Sequence, residues 1–252
     1  MTGWAVVTGA SGGLGAGFAR ELARQGANLI LVARSADKLE TLADELRARY
    51  RIQVETWPCD LVNRGARAVL AADLASREIH TLVNNAGFGS IGDFTDLPQE
   101  RISAEVELNV VALTDLTRTV LPGMKQRDRG AVINIASTAA FQPIPGFTTY
   151  AATKSYVLRL SIGLWAELHN TGVRVLAVCP GPTDTGFFSA AGNDQVMGHR
   201  RSVEQVVATS FKALRRHRPY VVDGVGNTIM AEATRLVPAT WVSQMAGWIA
   251  SH

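Results

Sequence analysis

The chain has 252 residues, 47% of them hydrophobic and 19% charged, and its formal net charge is +3. This composition excludes a disordered chain and is typical of a globular protein with a sizeable core. The weak positive charge gives no reason to expect a nucleic-acid partner. Cys59 and Cys179 exclude a disulfide framework and have no metal-ligating neighbours, so we expect free buried thiols, no metal site and a cytoplasmic protein. No apolar run reaches the length of a bilayer span, so we expect no stable membrane insertion.

Short apolar strands alternate with amphipathic helices along the whole chain. The predicted strands cover residues 4–8, 28–33, 54–59, 81–84, 130–136, 173–178 and 220–222. Helical periodicity is found over residues 14–25, 39–46, 69–76, 99–124 and 149–170, and Ser202 with Gln205 predicts a capping box for a helix through Leu214. This alternation predicts an α/β fold, with a parallel sheet covered on both faces. We therefore expect one domain over residues 1–252, a doubly wound Rossmann fold with a seven-stranded parallel sheet.

A glycine-rich turn joins the first strand to the first helix. Residues 8–15 read TGASGGLG, with glycines at 9, 13 and 15 among them. Glycines at this junction let backbone amides approach a pyrophosphate, and the N-terminus of the following helix favours an anion. Such a turn can also be purely structural, but together with the residues that follow it predicts a dinucleotide site.

The end of the second strand indicates which dinucleotide binds. An acid there would bond the ribose 2′-hydroxyl of NAD(H), but the strand ends in Val32-Ala33-Arg34 without one. The planar guanidinium of Arg34 can instead pair with a 2′-phosphate. We therefore predict NADP(H); the alternative for Arg34 is a solvent-facing side chain at the start of a helix.

Polar residues also follow the third and fourth strands, at the carboxyl edge where open α/β sheets bind their ligands. Asp60 follows the third strand, where it either lies beside an adenine base or caps a helix. Asn84 and Asn85, followed by Gly87, come after the fourth strand at the same edge.

A tyrosine and a lysine suggest the chemistry. Tyr150 and Lys154 lie one helical turn apart, on one face of the predicted helix. A phenol, with a free pKa of about 10, is a poor acid–base catalyst at neutral pH. A neighbouring ammonium favours the phenolate. Ser137, earlier in the chain, would add a hydroxyl beside the reacting oxygen.

With these residues assembled, the chain resembles the short-chain dehydrogenase/reductase family over essentially its whole length. The resemblance implies Asn109, Ser137, Tyr150 and Lys154 as catalytic residues. It also implies that the cofactor is bound by Gly9, Ser11, Gly13, Leu14, Gly15, Arg34, Asp60, Leu61, Asn85, Ala86, Gly87, Tyr150, Lys154, Pro180, Gly181 and Thr183.

The same resemblance implies a mechanism. NADPH would deliver a hydride to a carbonyl carbon while Tyr150 protonates the oxygen. Ser137 would hold that oxygen, Lys154 would lower the pKa of Tyr150 and bond the nicotinamide ribose, and Asn109 would anchor a water that passes protons to Lys154. Arg34 and the residues after it are similar to a branch that contains fatty-acyl ketoreductases and hydroxysteroid dehydrogenases. The alternative is a catalytically quiet dinucleotide-binding sensor or scaffold, although such proteins usually lack the tyrosine or the lysine.

The segments around Tyr150 predict the substrate class and the assembly. Residues 139–147 carry Phe141, Ile144 and Phe147 and no charge, which favours an apolar or acyl carbonyl substrate unless these side chains merely pack the loops down. A lid is expected at about 183–202, and a tail at about 228–252 is expected to dock or to contact another subunit. The lid contains Phe187, Phe188 and Met197. The resemblance implies a homodimer or homotetramer, with Leu113, Leu116 and Leu164 exposed at its interface.

Overall fold

The structure is a computed structural model, which describes residues 3–185, 187, 200–234, 237–238 and 240–241. Most of the lid predicted at 183–202, with Phe188 and Met197, lies outside the described residues. Much of the tail predicted at 228–252 lies outside them as well.

Seven parallel strands form one sheet, as the alternation of the sequence predicts. They are β1 (Trp4–Thr8), β2 (Asn28–Ala33), β3 (Val54–Pro58), β4 (Ile79–Asn84), β5 (Gly130–Ile135), β6 (Val173–Cys179) and β7 (Tyr220–Val222). Their order across the sheet is β3-β2-β1-β4-β5-β6-β7, with parallel pairing throughout. The order reverses between β1 and β4, and in doubly wound sheets ligands bind at the carboxyl ends of strands beside this point.

Helices cover both faces of the sheet. They are α1 (Gly13–Arg24), α2 (Ala36–Tyr50), α3 (Arg64–Ala75), α4 (Gln99–Val106), α5 (Leu113–Gln126), α6 (Thr148–Leu168), α7 (Val203–Arg215) and α8 (Val225–Ala233). A π-helical turn, Glu107–Ala112, joins α4 to α5, so the helix predicted over 99–124 is continuous but changes its winding in the middle. The predicted capping box of Ser202 and Gln205 is confirmed at the start of α7.

Alternate side chains of each strand enter different core clusters, as the two-residue period of a strand requires. Val7 packs with Phe18 of α1 and Phe211 of α7 on one face. Val6 packs with Leu70 of α3 and Leu116 of α5 on the other. Both faces of β1 are therefore buried against apolar side chains. This is why the strand is apolar throughout and does not alternate between apolar and polar residues.

The expectation that Leu113 and Leu116 are exposed at a subunit interface is wrong. They are 5% and 1% exposed, because α5 turns this stripe onto the sheet. Leu164 of α6 is half-buried and packs against the same core. The large apolar side chains that are exposed on α4 and α6 are Val106 and Tyr156, each 38% accessible.

The cysteine expectation from composition has a counterpart in the structure. Cys59 and Cys179 are free and buried, as predicted. Within the described part of the chain, no helix is both long and apolar enough to cross a membrane.

Candidate active site

The glycine turn between β1 and α1 has its backbone packed too closely against its neighbours to admit side chains at Gly9 and Gly15. Gly9 has a φ of +64°, and a Cβ there would stand 2.7 Å from Nδ2 of Asn85. A Cβ on Gly15 would collide with the carbonyl oxygen of Gly9. At Gly12, the N-cap of α1, no side-chain cap is formed, so the first amides of the helix are available to an anion. The turn therefore fits a pyrophosphate.

Thr8 organises this turn and was not singled out as a site residue from the sequence. Its Oγ1 accepts hydrogen bonds from the backbone N–H groups of Asn85 and Ala86, both at 3.0 Å, and donates to the carbonyl of Val83 at 3.3 Å. Nδ2 of Asn85 returns hydrogen bonds to the carbonyls of Thr8 and Gly9, at 3.0 and 3.2 Å. The predicted residues Asn85 and Ala86 are thus locked to the glycine turn. A threonine at the end of the strand, directly before the first glycine, was the signal available.

The residues predicted at the adenine end of the site have different environments. Arg34 is exposed at the end of β2. Asp60 is also exposed, and its Oδ1 accepts a hydrogen bond from the N–H of Val62 at 3.1 Å. The alternative that Asp60 caps a helix is wrong, because Asn63 caps α3 by accepting from the N–H of Ala66. Leu61 is buried, whereas Ser11 and Leu14 are half-buried in and after the glycine turn.

Tyr150 and Lys154 lie side by side on α6 beneath the carboxyl edge of the sheet. Their exposed fractions are 7% and 4%. Nζ of Lys154 is 5.5 Å from the centre of the Tyr150 ring and donates a hydrogen bond to the carbonyl of Ile135 at 2.8 Å. A Cβ on Gly87 would lie 3.3 Å from that Nζ and 2.9 Å from Oδ1 of Asn109. The loop after β4, Asn109 and Lys154 therefore meet at Gly87.

Asn109 lies within the π-helical turn and is 1% exposed. Its Oδ1 accepts from the N–H of Phe88 at 3.2 Å, and its Nδ2 donates to the carbonyl of Phe88 at 2.8 Å and to Oγ1 of Thr153 at 3.1 Å. The side chain consequently ties the loop after β4 to the helix of Tyr150. π-Helical turns inside α-helices are frequent at functional sites.

Ser137 follows β5 and begins a 3₁₀ turn, Thr138–Phe141. Its Oγ accepts from the N–H of Ala139 at 3.1 Å, so the side chain also caps this turn. The hydroxyl also lies within reach of the Tyr150 phenol. The two roles are compatible, because capping the turn uses an acceptor and leaves the O–H free to donate.

Burial dominates the proton affinities in this site. Burial raises the pKa of Tyr150, and the hydrogen bond of Ser137 acts in the opposite direction. Burial lowers the pKa of Lys154 to about 8. It also raises the pKa of the Cys179 thiol, at the end of β6, to about 12. The Tyr150 phenol and the Cys179 thiol are thus protonated at neutral pH, whereas the pKa of Lys154 lies close to neutral pH.

Aromatic side chains surround the phenol. Phe147 stacks on the ring of Tyr150 with centroids 4.3 Å apart, and Phe187 packs against it at 5.3 Å. Ile144 joins the same cluster. Phe141 instead packs against Tyr220 of β7, at 6.0 Å, so for this residue the loop-packing alternative holds.

The loop after β6 is held on both sides. The N–H of Thr138 donates to the carbonyl of Pro180 at 2.9 Å, and Thr183 donates through Oγ1 to the carbonyl of Gly181 at 3.0 Å. The backbones of Thr183 and Arg201 also pair in an isolated parallel β-bridge. The guanidinium of Arg201 donates hydrogen bonds to both carboxylate oxygens of the fully buried Asp223, at 2.8 and 3.1 Å. Sequence reasoning missed this ion pair, since an arginine in a polar loop gives no sign of a buried partner.

A buried ladder of polar side chains fastens α6 to the centre of the sheet. Asn84 of β4 donates to Oδ1 of Asn134 on β5 at 2.9 Å and to Oγ1 of Thr117 on α5 at 2.8 Å. Asn134 donates to Oγ of Ser161 on α6, also at 2.9 Å. Buried hydrogen bonds of this kind define how α6 is positioned along the strands. They therefore also define where Tyr150 lies relative to the carboxyl edge of the sheet.

A parallel sheet with a glycine turn beside its switch point is typical of dinucleotide-binding folds, and a buried tyrosine–lysine pair lies under the same edge. The model of the family described as short chain dehydrogenase matches residues 3–196. The chain belongs to this family.

Individual relatives are similar over different shares of their length. The very-long-chain 3-oxoacyl-CoA reductase of Bos taurus is 36% identical over 181 residues, which are 70% of this chain and 58% of that protein. The 17-beta-hydroxysteroid dehydrogenase type 3 of Danio rerio is 32% identical over 247 residues, which are 96% of this chain and 78% of that protein. A short-chain dehydrogenase from Sphingobium yanoikuyae, solved in complex with NADPH, is 34% identical with a TM-score of 0.86, covering 92% of this chain and 93% of that one.

Proposed function

We propose that this protein is an NADP(H)-dependent oxidoreductase that interconverts a carbonyl and an alcohol on an apolar or acyl substrate, with Tyr150 as the general acid and base. One observation carries the proposal. The buried phenol of Tyr150, held beside Lys154, is packed by Phe147 and Phe187 under the same sheet edge as the glycine turn. A buried acid with an apolar surround suits proton transfer to an apolar carbonyl.

The side chains divide the work as follows. When bound, the reduced dinucleotide supplies a hydride to the carbonyl carbon. Tyr150 gives its proton to the carbonyl oxygen, which becomes the hydroxyl of the alcohol, and Tyr150 is left as a phenolate. Ser137, whose O–H is free to donate, holds that oxygen in line. The Lys154 ammonium stabilises the phenolate and holds the cofactor ribose, and Asn109 helps to return a proton from solvent.

NADP(H) is the proposed dinucleotide, with Arg34 as the group that recognises the 2′-phosphate. Arg34 is exposed at the end of β2, where NAD-binding sheets place an acid, and neither Ala33 nor Arg34 supplies one. The similar Sphingobium yanoikuyae dehydrogenase was solved with NADPH. We expect Arg34→Ala to raise the KM for NADPH by about tenfold or more, since a charge-assisted bidentate contact is lost. The KM for NADH should stay within about twofold; equal effects on both cofactors would remove Arg34 from this role.

The substrate class follows from the environment of Tyr150. Phe147, Phe187 and Ile144 surround the phenol with apolar surface. Such a surround favours bulky apolar ketones, sterols or 3-oxoacyl chains over sugars. The names of the bovine and zebrafish relatives, a 3-oxoacyl-CoA reductase and a hydroxysteroid dehydrogenase, agree with this class.

The test is consumption of NADPH, with NADH in parallel, against a graded series of apolar aldehydes, ketones, steroid ketones and 3-oxoacyl thioesters. Tyr150→Phe should lose nearly all turnover while binding NADPH unchanged. Tyr156→Phe is the matched control: this tyrosine lies on the same helix but is exposed and bonds Thr114, so its variant should keep wild-type turnover. Turnover that survives in Tyr150→Phe would exclude Tyr150 as the acid.

Binding of NADPH without reduction of any compound in the series would favour the sensor or scaffold instead. A homodimeric or homotetrameric state and a cytoplasmic location stay predictions from the sequence. Mass measurement in solution and localisation of the tagged protein would test them.

A further inference from the structure

A carboxylate that makes no hydrogen bond of normal geometry among the described residues is buried one helical turn before Asn109. Glu105 and Asp223 are the two acids among the described residues that have no exposed surface. Asp223 is paired with Arg201, but neither oxygen of Glu105 makes a hydrogen bond of normal geometry to any described residue. Burying an unpaired carboxylate is costly, and groups of this kind concentrate at functional sites.

Glu105 lies on the last turn of α4, four residues before Asn109. Residues four apart on a helix share a face. The side chain therefore points towards the same interior as Asn109, where the loop after β4 and α6 meet. Sequence reasoning missed it, because an acid in a helix with other acids around it is typical of a solvated face.

Charged and polar groups from several elements face this carboxylate. On its own helix, Arg101 donates to Oγ of Ser90 at 3.0 Å, and Ser90, in the loop after β4, acts on Glu105 through its hydroxyl and its backbone N–H. From α6 the facing groups are Lys154, which is attracted to Glu105, and Tyr150, whose ionisation Glu105 opposes. Burial raises the pKa of the Cys179 thiol of β6 to about 12, so this neighbour of the pair is uncharged at neutral pH. Burial raises the pKa of Glu105 itself, while Ser90, Arg101 and Lys154 act to lower it.

We propose that Glu105 is a positioning residue for the reaction: its buried negative charge keeps the Lys154 ammonium charged and opposes ionisation of the Tyr150 phenol. This rests on the proposed function, in which Tyr150 is the acid. Lys154 needs such a counter-charge, because its one hydrogen bond given by the structure goes to the neutral carbonyl of Ile135. Without it, desolvation would neutralise the amine. Glu105 touches neither reacting atom and acts through its field on Lys154 and Tyr150.

The proposal has a directional consequence for the pH profile of carbonyl reduction. Reduction requires a protonated Tyr150 and a charged Lys154, so activity is lost at alkaline pH as either group gives up its proton. Removing the negative charge of Glu105 makes both protons easier to lose. The alkaline limb of the kcat profile should therefore move to lower pH in Glu105→Gln, by on the order of one pH unit for a unit charge at this depth.

Three variants separate charge from packing. Glu105→Asp keeps the charge and should leave the limb close to its wild-type position. Glu105→Met removes the charge with a flexible apolar side chain and should reproduce the shift of Glu105→Gln. Glu107→Gln is the matched control, two residues on in the same helical run, because Glu107 is partly exposed and pairs with Arg67 at 2.6 Å. Its profile should not move.

A measurement without turnover keeps this proposal distinct from the proposed function. The ionisation of Tyr150 can be followed by ultraviolet difference absorbance in the presence of NADP⁺, subtracting the same titration of Tyr150→Phe. The midpoint should be lower in Glu105→Gln than in the wild type. A limb and a midpoint that stay in place overturn the proposal, even if kcat falls evenly at every pH. A midpoint that moves in a protein that reduces no carbonyl supports the role of Glu105 and rejects the proposed function.

Discussion

Replacing Lys154 by methionine should abolish activity and at the same time stabilise the fold. Lys154 is 4% exposed, and burial lowers its pKa from 10.5 to about 8. Each pKa unit corresponds to about 1.4 kcal/mol, so keeping this amine charged in the interior costs the fold about 3 kcal/mol. Methionine fills a similar volume and carries no such cost.

A second term opposes this gain. The variant loses the hydrogen bond from Nζ to the carbonyl of Ile135 and leaves that oxygen without the donor. Leaving a buried acceptor unsatisfied costs about 1–2 kcal/mol. The net expectation is a stabilisation of about 1–2 kcal/mol near pH 7, which corresponds to a rise in Tm of about 2–6 °C for a chain of this size.

The sign of the pH dependence is a sharper test than the size of the effect. Below about pH 8 the amine is charged in both the folded and the unfolded chain, so the full cost is present in the wild type. Between about pH 8 and 10.5 the folded protein releases the proton first and the cost disappears. The advantage of Lys154→Met should therefore shrink over this window and change sign within it.

The assay is thermal or urea unfolding of the cofactor-free protein from pH 6 to pH 10. Lys212→Met is the control, because Lys212 is exposed on α7 and its replacement should change stability by less than about 0.5 kcal/mol at any pH. A Lys154→Met protein less stable than the wild type at pH 7, or a difference that does not vary with pH, would refute the reasoning.

Two further substitutions probe contacts that were not predicted from the sequence. Asp223→Asn should lower the free energy of unfolding by about 1–3 kcal/mol in urea titrations, because it leaves the Arg201 guanidinium without its buried counter-charge. An unchanged unfolding midpoint would show that the pair is dispensable. Thr8→Val should lower stability by about 2–3 kcal/mol and weaken NADPH binding measured by calorimetry, because the N–H groups of Asn85 and Ala86 both lose their acceptor. Thr8→Ser keeps the acceptor and should retain most of both, and a valine variant that binds as tightly as the serine variant would contradict this account.

Much of the fold could be predicted because local and global signals agree in this chain. Strands that are buried on both faces consist of consecutive apolar residues. The ends of the strands could therefore be predicted to within about two residues. The capping box of Ser202 and Gln205 is a local interaction and was confirmed for that reason. Glycines and polar residues that follow the strands mark the edge where the site forms, whatever the details of packing.

The rest depends on side-chain direction and long-range contacts, which spacing alone does not determine. Leu113 and Leu116 were expected at a subunit interface because of the family resemblance, and only the packing of α5 on the sheet shows that this face of the helix is covered. The π-helical turn at Asn109 has no propensity signal, since it is a change of hydrogen bonding within a continuous helix. Glu105 was not singled out from the sequence, because a charged residue indicates exposure unless the elements packed against it are known.

The hydrogen bonds between Thr8 and the loop after β4 also have a consequence for how this protein is made. The glycine turn is completed by Asn85 and Ala86, which follow Thr8 by 77 and 78 residues. β1 is flanked in the sheet by β2 and β4, so its second neighbour is synthesised long after the strand itself. At about 5–20 residues per second, a ribosome leaves β1 without that neighbour for several seconds, and closing so long a loop is slow. The nascent chain must shield an apolar central strand during this interval, and the nucleotide pocket can first take shape only when residue 86 has emerged.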